Sequence, residues 1–159
     1  MLVDDKMIAR LFRPLTIAVT LILLACSGLT SGCETTLCCP DCPTESVLRV
    51  TGGDTFDTST LVVRLLGVDA PVEGDRCFEE ARERLARLAH TVVRVESGPE
   101  VQDILARRLY YVYTDLGESI DETLIVEGLA RASHREGQHL ERLLQLDRAA
   151  QREGTGCLF

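Results

Sequence analysis

A chain of 159 residues with a formal net charge of −8 has room for one folded domain and a short leader. Its acidity excludes a broad basic surface that would hold nucleic acid by charge alone, so any phosphate contact has to come from local arginines or a bound cation. Trp is absent and aromatic residues make up only 4%, so the core must be assembled mainly from Leu, Val, Ile and Ala.

The first element in chain order is a leader. Met7–Arg13 contains Arg10 and Arg13, and Leu15–Ala25 reads LTIAVTLILLA. A basic stretch followed by a short apolar run is the pattern of an export signal, and this run is too short to cross a bilayer comfortably. Leu23-Leu24-Ala25-Cys26 is similar to a bacterial lipobox, which predicts lipidation of Cys26. Thr30-Ser31-Gly32-Cys33 is a weaker second match, and a plain signal peptide or a short membrane anchor is the alternative. The expected product is an exported protein, held at the bacterial cell envelope by a lipid anchor or secreted.

Ser27–Glu45 is rich in Ser, Thr, Gly, Pro and Cys and reads as a tether. The expected organisation is therefore leader 1–25, tether 26–45 and domain 46–159. Lipidation of Cys26 would leave six of the seven cysteines, an even number suited to disulfides in an oxidising compartment. The Cys39-x-x-Cys42 spacing could bind zinc, but no second such pair or His pair follows at a suitable distance. An oxidised knot is the expected state of this cluster.

Within the domain, Val47–Thr51 reads as a short strand, with Gly52-Gly53 as a turn or bulge. Leu61–Val68 is apolar and β-branched, Thr91–Glu96 alternates, and Leu109–Thr114 is aromatic and β-branched, so each is expected as a strand. Phe78–His90 and Gln138–Arg152 carry apolar residues at helical spacing. Ile120–Leu129 is a third helix, with Ser119 and Glu122 spaced as a capping box. Short strands flanked by helices predict an α+β fold: a five-stranded OB-like barrel with three helices. Cys77 and Cys157 lie at the start of the first helix and the end of the chain, and are expected to form a disulfide that pins the C-terminus.

The residues with chemistry to offer are Asp54 in the first turn, Arg64 inside an apolar strand, Asp69 at that strand's end, and Arg107 and Arg108 before the aromatic strand. A charge within an apolar strand is costly unless it is paired or faces a site. Arg64 and Asp69 are five positions apart, which strict alternation places on opposite faces; Gly67 offers a bulge that could re-aim Asp69. A purely structural ion pair, with Asp54 capping a turn, would account for the same residue types.

Taken together, Gly53-Asp54-Thr55, Arg64-Leu65-Leu66-Gly67-Val68-Asp69-Ala70-Pro71, Arg107 before Leu109-Tyr110-Tyr111-Val112-Tyr113, and Leu124-Ile125-Val126-Glu127-Gly128-Leu129-Ala130 form a series. From about Val47 to Phe159 this series resembles the thermonuclease (staphylococcal nuclease-like) family. The resemblance implies a Ca²⁺-dependent phosphodiesterase acting on DNA and RNA. It implies metal ligation by Asp54, Asp69 and the Ala70 carbonyl, and phosphate binding by Arg64 and Arg107. A cation and two guanidinium forks suit that chemistry, because negative charge builds up on the equatorial oxygens during attack on phosphorus.

The chain also departs from the family. The catalytic Glu normally follows the Pro directly, whereas here the run is Asp69-Ala70-Pro71-Val72-Glu73, so Glu73 is displaced by one position and Asp75 is a second candidate. Gly52 replaces an acidic residue, and Leu105, His134 and Glu136 stand where aromatic groups pack nucleotide in the staphylococcal enzyme. The competing expectation is a catalytically impaired OB-fold module that binds nucleic acid or protein at the envelope; a purely structural envelope lipoprotein would leave the acid–arginine set unexplained. A monomer with no obligate protein partner is expected.

Overall fold

The computed structural model describes residues 36–159. The expected leader, Cys26 and Cys33 lie outside the described residues. The described chain runs β1 (Thr44–Ser46), β2 (Arg49–Val50), β3 (Thr55–Asp57), β4 (Val62–Leu65), β5 (Val68–Asp69), α1 (Phe78–Ala89), β6 (Val92–Gln102), β7 (Arg108–Tyr113), α2 (Ile120–Val126), β8 (Arg131–Ala132) and α3 (Leu140–Glu153). Six strands form one sheet in the order β1-β6-β7-β4-β3-β2, and β5 pairs with β8 separately. Neighbours are antiparallel except β4 and β7, which run parallel with Arg64 opposite Leu109. The curled sheet and three helices make an α+β, OB-like fold.

The strand set differs from the expectation in three places. Thr44–Ser46 pairs with β6, so the main sheet has six strands rather than five. The Leu61–Val68 run breaks into β4 and β5 at Leu66-Gly67. Thr55–Asp57 forms a strand beyond the Gly-Gly turn and pairs with both β2 and β4. Residues 37–45, expected as tether, are built onto the domain. Cys39 N donates to the Gly117 carbonyl (2.9 Å) and Ser119 N to the Leu37 carbonyl (3.2 Å). Cys39 is bonded to Cys42. These attachments are backbone hydrogen bonds and a short covalent loop, which leave no hydrophobic periodicity to read.

The helices form for local reasons. Ala81, Leu85 and Ala89 put the buried stripe of α1 at one-turn spacing. Ser119 Oγ accepts Glu122 N (3.1 Å) and caps α2. The reciprocal half of the box is absent: Glu122 instead accepts Leu37 N (2.9 Å) and Arg142 Nε (2.7 Å). Gly128, at φ +63°, ends α2 three residues earlier than expected, with Gly128 N on Ile125 O and Leu129 N on Leu124 O. In α3, Leu143 and Ala150 are buried, and Asp147 shares their stripe because it binds Arg131 Nε at 2.8 Å. The core joins Phe56, Val63, Leu65, Leu85, Val95, Leu109, Val112, Leu124, Ile125 and Leu143.

Candidate active site

The candidate site lies where the β3–β4 hairpin, the end of β5 and the start of β7 meet. Thr55 pairs with Arg64 across the hairpin, and Leu65 N donates to the Asp54 carbonyl at 2.9 Å. That register sets Asp54 beside Arg64. Gly53 is required next to it, since a Cβ there would stand 2.7 Å from the Cβ atoms of both Ala70 and Ala81. The close approach lets Asp54 Oδ2 accept Ala70 N (3.2 Å) while Oδ1 accepts the Thr55 hydroxyl (2.7 Å).

Arg64 joins the two acids. Its Nη2 lies 3.1 Å from Asp54 Oδ2 and 2.5 Å from Asp69 Oδ1. Strict strand alternation is defeated by the bend at Leu66-Gly67. A Cβ at Gly67 would sit 2.5 Å from Asp121 Oδ1 and 2.6 Å from Leu143 Cδ1, so only glycine fits the bend. Asp121 holds it there by accepting Gly67 N (3.0 Å) and Val112 N (2.9 Å), which ties the bend to β7. Burial pushes the Asp121 carboxyl up to about 7, with those two backbone bonds working against the rise. Asp54 is nearly buried, whereas Asp69 remains half open to solvent. Arg64 Nε is buried without a hydrogen-bond partner, which leaves a donor at the site with nothing to bind.

Arg107 stands one residue before β7, at the end of the strand that pairs with β4. It is held by Asp103, whose Oδ2 accepts Arg107 Nε at 2.7 Å and whose Oδ1 accepts Leu105 N (2.9 Å) and Arg107 N (3.0 Å). Burial pushes the Asp103 carboxyl up, but its hydrogen bonds to Arg107 and Leu105 outweigh that and hold it below its ordinary range. Asp54, Arg64, Ala70, Glu73 and Arg107 line one depression of about 240 Å³. Asp69 borders it through its contact with Arg64 and lines the neighbouring depression, which shares Ala70 and Pro71.

Of the two displaced carboxylate candidates, Glu73 lies in the depression with Asp54. Asp75 lines the neighbouring one, and its side chain accepts Val72 N (3.3 Å) to close its own turn. Leu105, His134 and Glu136 are exposed and none lines the Arg64 depression. Asp103 and Asp121 are not among the residues expected at the site from sequence. Asp103 had a signal in its position four residues before Arg107; Asp121 looked like an ordinary acid in the first turn of a helix. The structure bonds Cys77 to Cys157, the pair expected from their positions.

Fold and site together define an OB-like domain in which Asp54, Arg64 and Arg107 line one depression and Asp69 pairs with Arg64. The family model described as staphylococcal nuclease homologue matches residues 62–157, and the chain belongs to that family. Its nature is therefore nuclease-like or nucleic-acid-binding. The matched stretch holds Arg64, Asp69, Ala70, Glu73 and Arg107, while Asp54 precedes it. No curated protein matches the chain.

Proposed function

We propose that this protein is an exported, lipid-anchored nuclease that hydrolyses phosphodiester bonds of DNA and RNA with the help of Ca²⁺. The observation that carries the reading is the position of Arg64: one guanidinium nitrogen set between two carboxylates, with a buried Nε that has no partner. Arg64 lines the depression with Asp54, Glu73 and Arg107, where its guanidinium can donate to a phosphate oxygen.

The residues present fit a hard divalent ion. Asp54 and Asp69 each turn an oxygen toward Arg64 Nη2, so an ion held by these two carboxylates would compete with that guanidinium. The described residues gather no group of three acidic, His or Cys side chains able to hold a metal, so the Ala70 carbonyl and water would complete the shell, as Ca²⁺ accepts. When bound, the ion supplies charge that stabilises the phosphorane-like state. Arg64 and Arg107 bind the phosphate and neutralise its equatorial oxygens. Glu73 orients the attacking water and accepts its proton, while the departing oxygen takes up a proton as the P–O bond breaks. The intervening Val72 leaves Glu73 lining the same depression as Asp54, and this favours the enzyme over a module that only binds.

The export signal pattern, the lipobox-like Leu23–Cys26 run and the Cys39–Cys42 and Cys77–Cys157 disulfides support an oxidising envelope location for a monomeric protein. No described helix is long and apolar enough to cross a membrane; the anchor we propose is an N-terminal lipid on Cys26, from the lipobox-like run. A gel assay with single-stranded DNA and RNA tests the activity. Digestion is expected with Ca²⁺, and loss of digestion with chelator and in Arg64→Ala. Intact substrate at millimolar Ca²⁺ and mildly alkaline pH would sink the proposal.

A further inference from the structure

The loop between β5 and α1 carries Glu73 with few attachments of its own. Val72 through Arg76 are all exposed. Inside the loop, Asp75 N donates to the Val72 carbonyl (2.9 Å) and Asp75 Oδ2 accepts Val72 N (3.3 Å). Its first end is fixed by Ala70 N on Asp54. Its other end is Cys77, a buried residue with φ 72°, in the left-handed region that side chains visit at a cost. Cys77 is bonded to Cys157, 80 positions along the chain.

The far side of that bond is firmly seated. Leu158 N donates to the Gly128 carbonyl (3.1 Å) and Thr155 N to the Ala150 carbonyl (3.0 Å). A Cβ on Gly128 would meet Thr155 O at 1.9 Å, so the two backbones lie in direct contact. The bond also lies next to the chemistry, because Cys77 and Cys157 line the depression that holds Asp69, Ala70, Pro71 and Asp75.

We propose that the Cys77–Cys157 disulfide positions Glu73 for attack on the phosphodiester, so that the chemical step depends on this bond and not stability alone. The proposal rests on the nuclease reading of the same site. Asp54, Arg64 and Asp69 are held by strand pairing and by one another, so substrate and ion binding do not need the bond. Glu73 sits four residues from Cys77, on a loop whose other ties on that side are backbone bonds to the first turn of α1, Phe78 N on the Asp75 carbonyl (3.4 Å) and Ala81 N on the Cys77 carbonyl (3.1 Å). Reduction by a dithiol transfers two electrons and two protons to the two sulfurs and converts the dithiol to its own disulfide. Cys77 is then free to leave the left-handed conformation and carry the loop away. A shift of about 1 Å in a catalytic group costs on the order of 100-fold in rate.

The test compares oxidised wild type with Cys77→Ser/Cys157→Ser, which leaves Cys39–Cys42 intact, at a temperature where both are folded. Two readouts are taken: kcat and KM on single-stranded DNA with Ca²⁺, and trypsin cleavage after Arg76 against cleavage after Arg148 in α3, followed by mass spectrometry. The expected result is a kcat at least about tenfold lower in the variant, KM within about twofold, and faster cleavage at Arg76 alone. Equal kcat values overturn the proposal, as does an equal rise in cleavage at Arg148, which reports general loosening. If oxidised wild type cuts no substrate, the nuclease reading fails instead. The Arg76 rate then decides the loop restraint by itself, and an unchanged rate overturns it.

Discussion

Arg107 and Asp103 are joined side chain to side chain, with Arg107 Nε and Nη2 both 2.7 Å from Asp103 Oδ2, and the same carboxyl accepts two backbone N–H groups of the turn between them. Ala106 in that turn has φ 59°, so the tight loop depends on this carboxyl for its shape. One acid thus shapes the loop and aims the guanidinium toward the depression.

Asp103→Ala is therefore expected to raise KM by roughly tenfold, through loss of Arg107 alignment, and to destabilise the domain by about 1–3 kcal/mol. Steady-state kinetics and urea melts measure both. The carboxyl is held below its ordinary range, so its contribution to stability is present above the unfolded value near 4 and is lost as pH falls through the folded value. Wild type should accordingly lose stability relative to Asp103→Asn as pH falls below about 4. Parallel curves for the two proteins would refute the alignment.

Arg64 and a divalent ion would compete for the same two carboxylates. Arg64→Ala should abolish cleavage yet bind Ca²⁺ more tightly, by about 3- to 10-fold, because two oxygens that faced a guanidinium would face each other. Calorimetric titration of both proteins provides the comparison. Weaker binding in the variant would show that Asp54 and Asp69 are not the ion's ligands.

Few acidic ligands converge, and Gly52 adds none, so the ion should bind loosely. A dissociation constant in the range of about 10⁻⁴–10⁻³ M is expected for wild type, as for extracellular Ca²⁺ modules. Half-maximal activity below micromolar Ca²⁺ would contradict the ligand set.

Glu73→Gln keeps the size of the side chain and removes its ability to take a proton. It should lower kcat by roughly 10²- to 10⁴-fold and leave Ca²⁺ affinity within about twofold. The same experiment on Asp75→Asn should change kcat little, since Asp75 closes its own turn. If Asp75 proved the more sensitive position, the displaced base would be misassigned.

Asp121 carries an opposite pH signature. Its folded value of about 7 lies above the unfolded carboxyl range, so the native state holds a proton that the unfolded state has released. Stability from this group is full below pH 4 or so and declines by roughly 1 kcal/mol per unit as pH rises toward 7, then levels off. Carboxyl-resolved NMR should show one aspartate titrating near neutrality, and Asp121→Asn should lack that slope while being less stable at all pH values. An Asp121 resonance titrating near 4 would refute it.

Much of the architecture was legible in the sequence. The three helices follow from apolar residues at one-turn spacing and from the Ser119 cap, which are local signals. The Leu61–Val68 run showed β character but not its break, because the residues that force a bend at Gly67, Asp121 and Leu143, belong to distant segments. The added strand at Thr44–Ser46 was hidden for a related reason: its pairing partner on β6 supplies order that its own polar sequence does not display. Glu122 completes no capping box, since Leu37 N and Arg142 offer it partners that local sequence cannot reveal.

The order and chemistry of the residues determined by themselves that this chain would carry two acids, two arginines and a displaced Glu73 along an OB-like set of elements, because residue type and spacing are properties of the chain alone. Only the tertiary structure decided that Arg64 Nη2 stands between Asp54 and Asp69, and that Arg107 is held by Asp103. Those contacts depend on hairpin register, on the turn that Asp103 closes, and on a bend clamped by Asp121 from 54 residues away. Such distances in space are set by packing between segments, which no local pattern encodes.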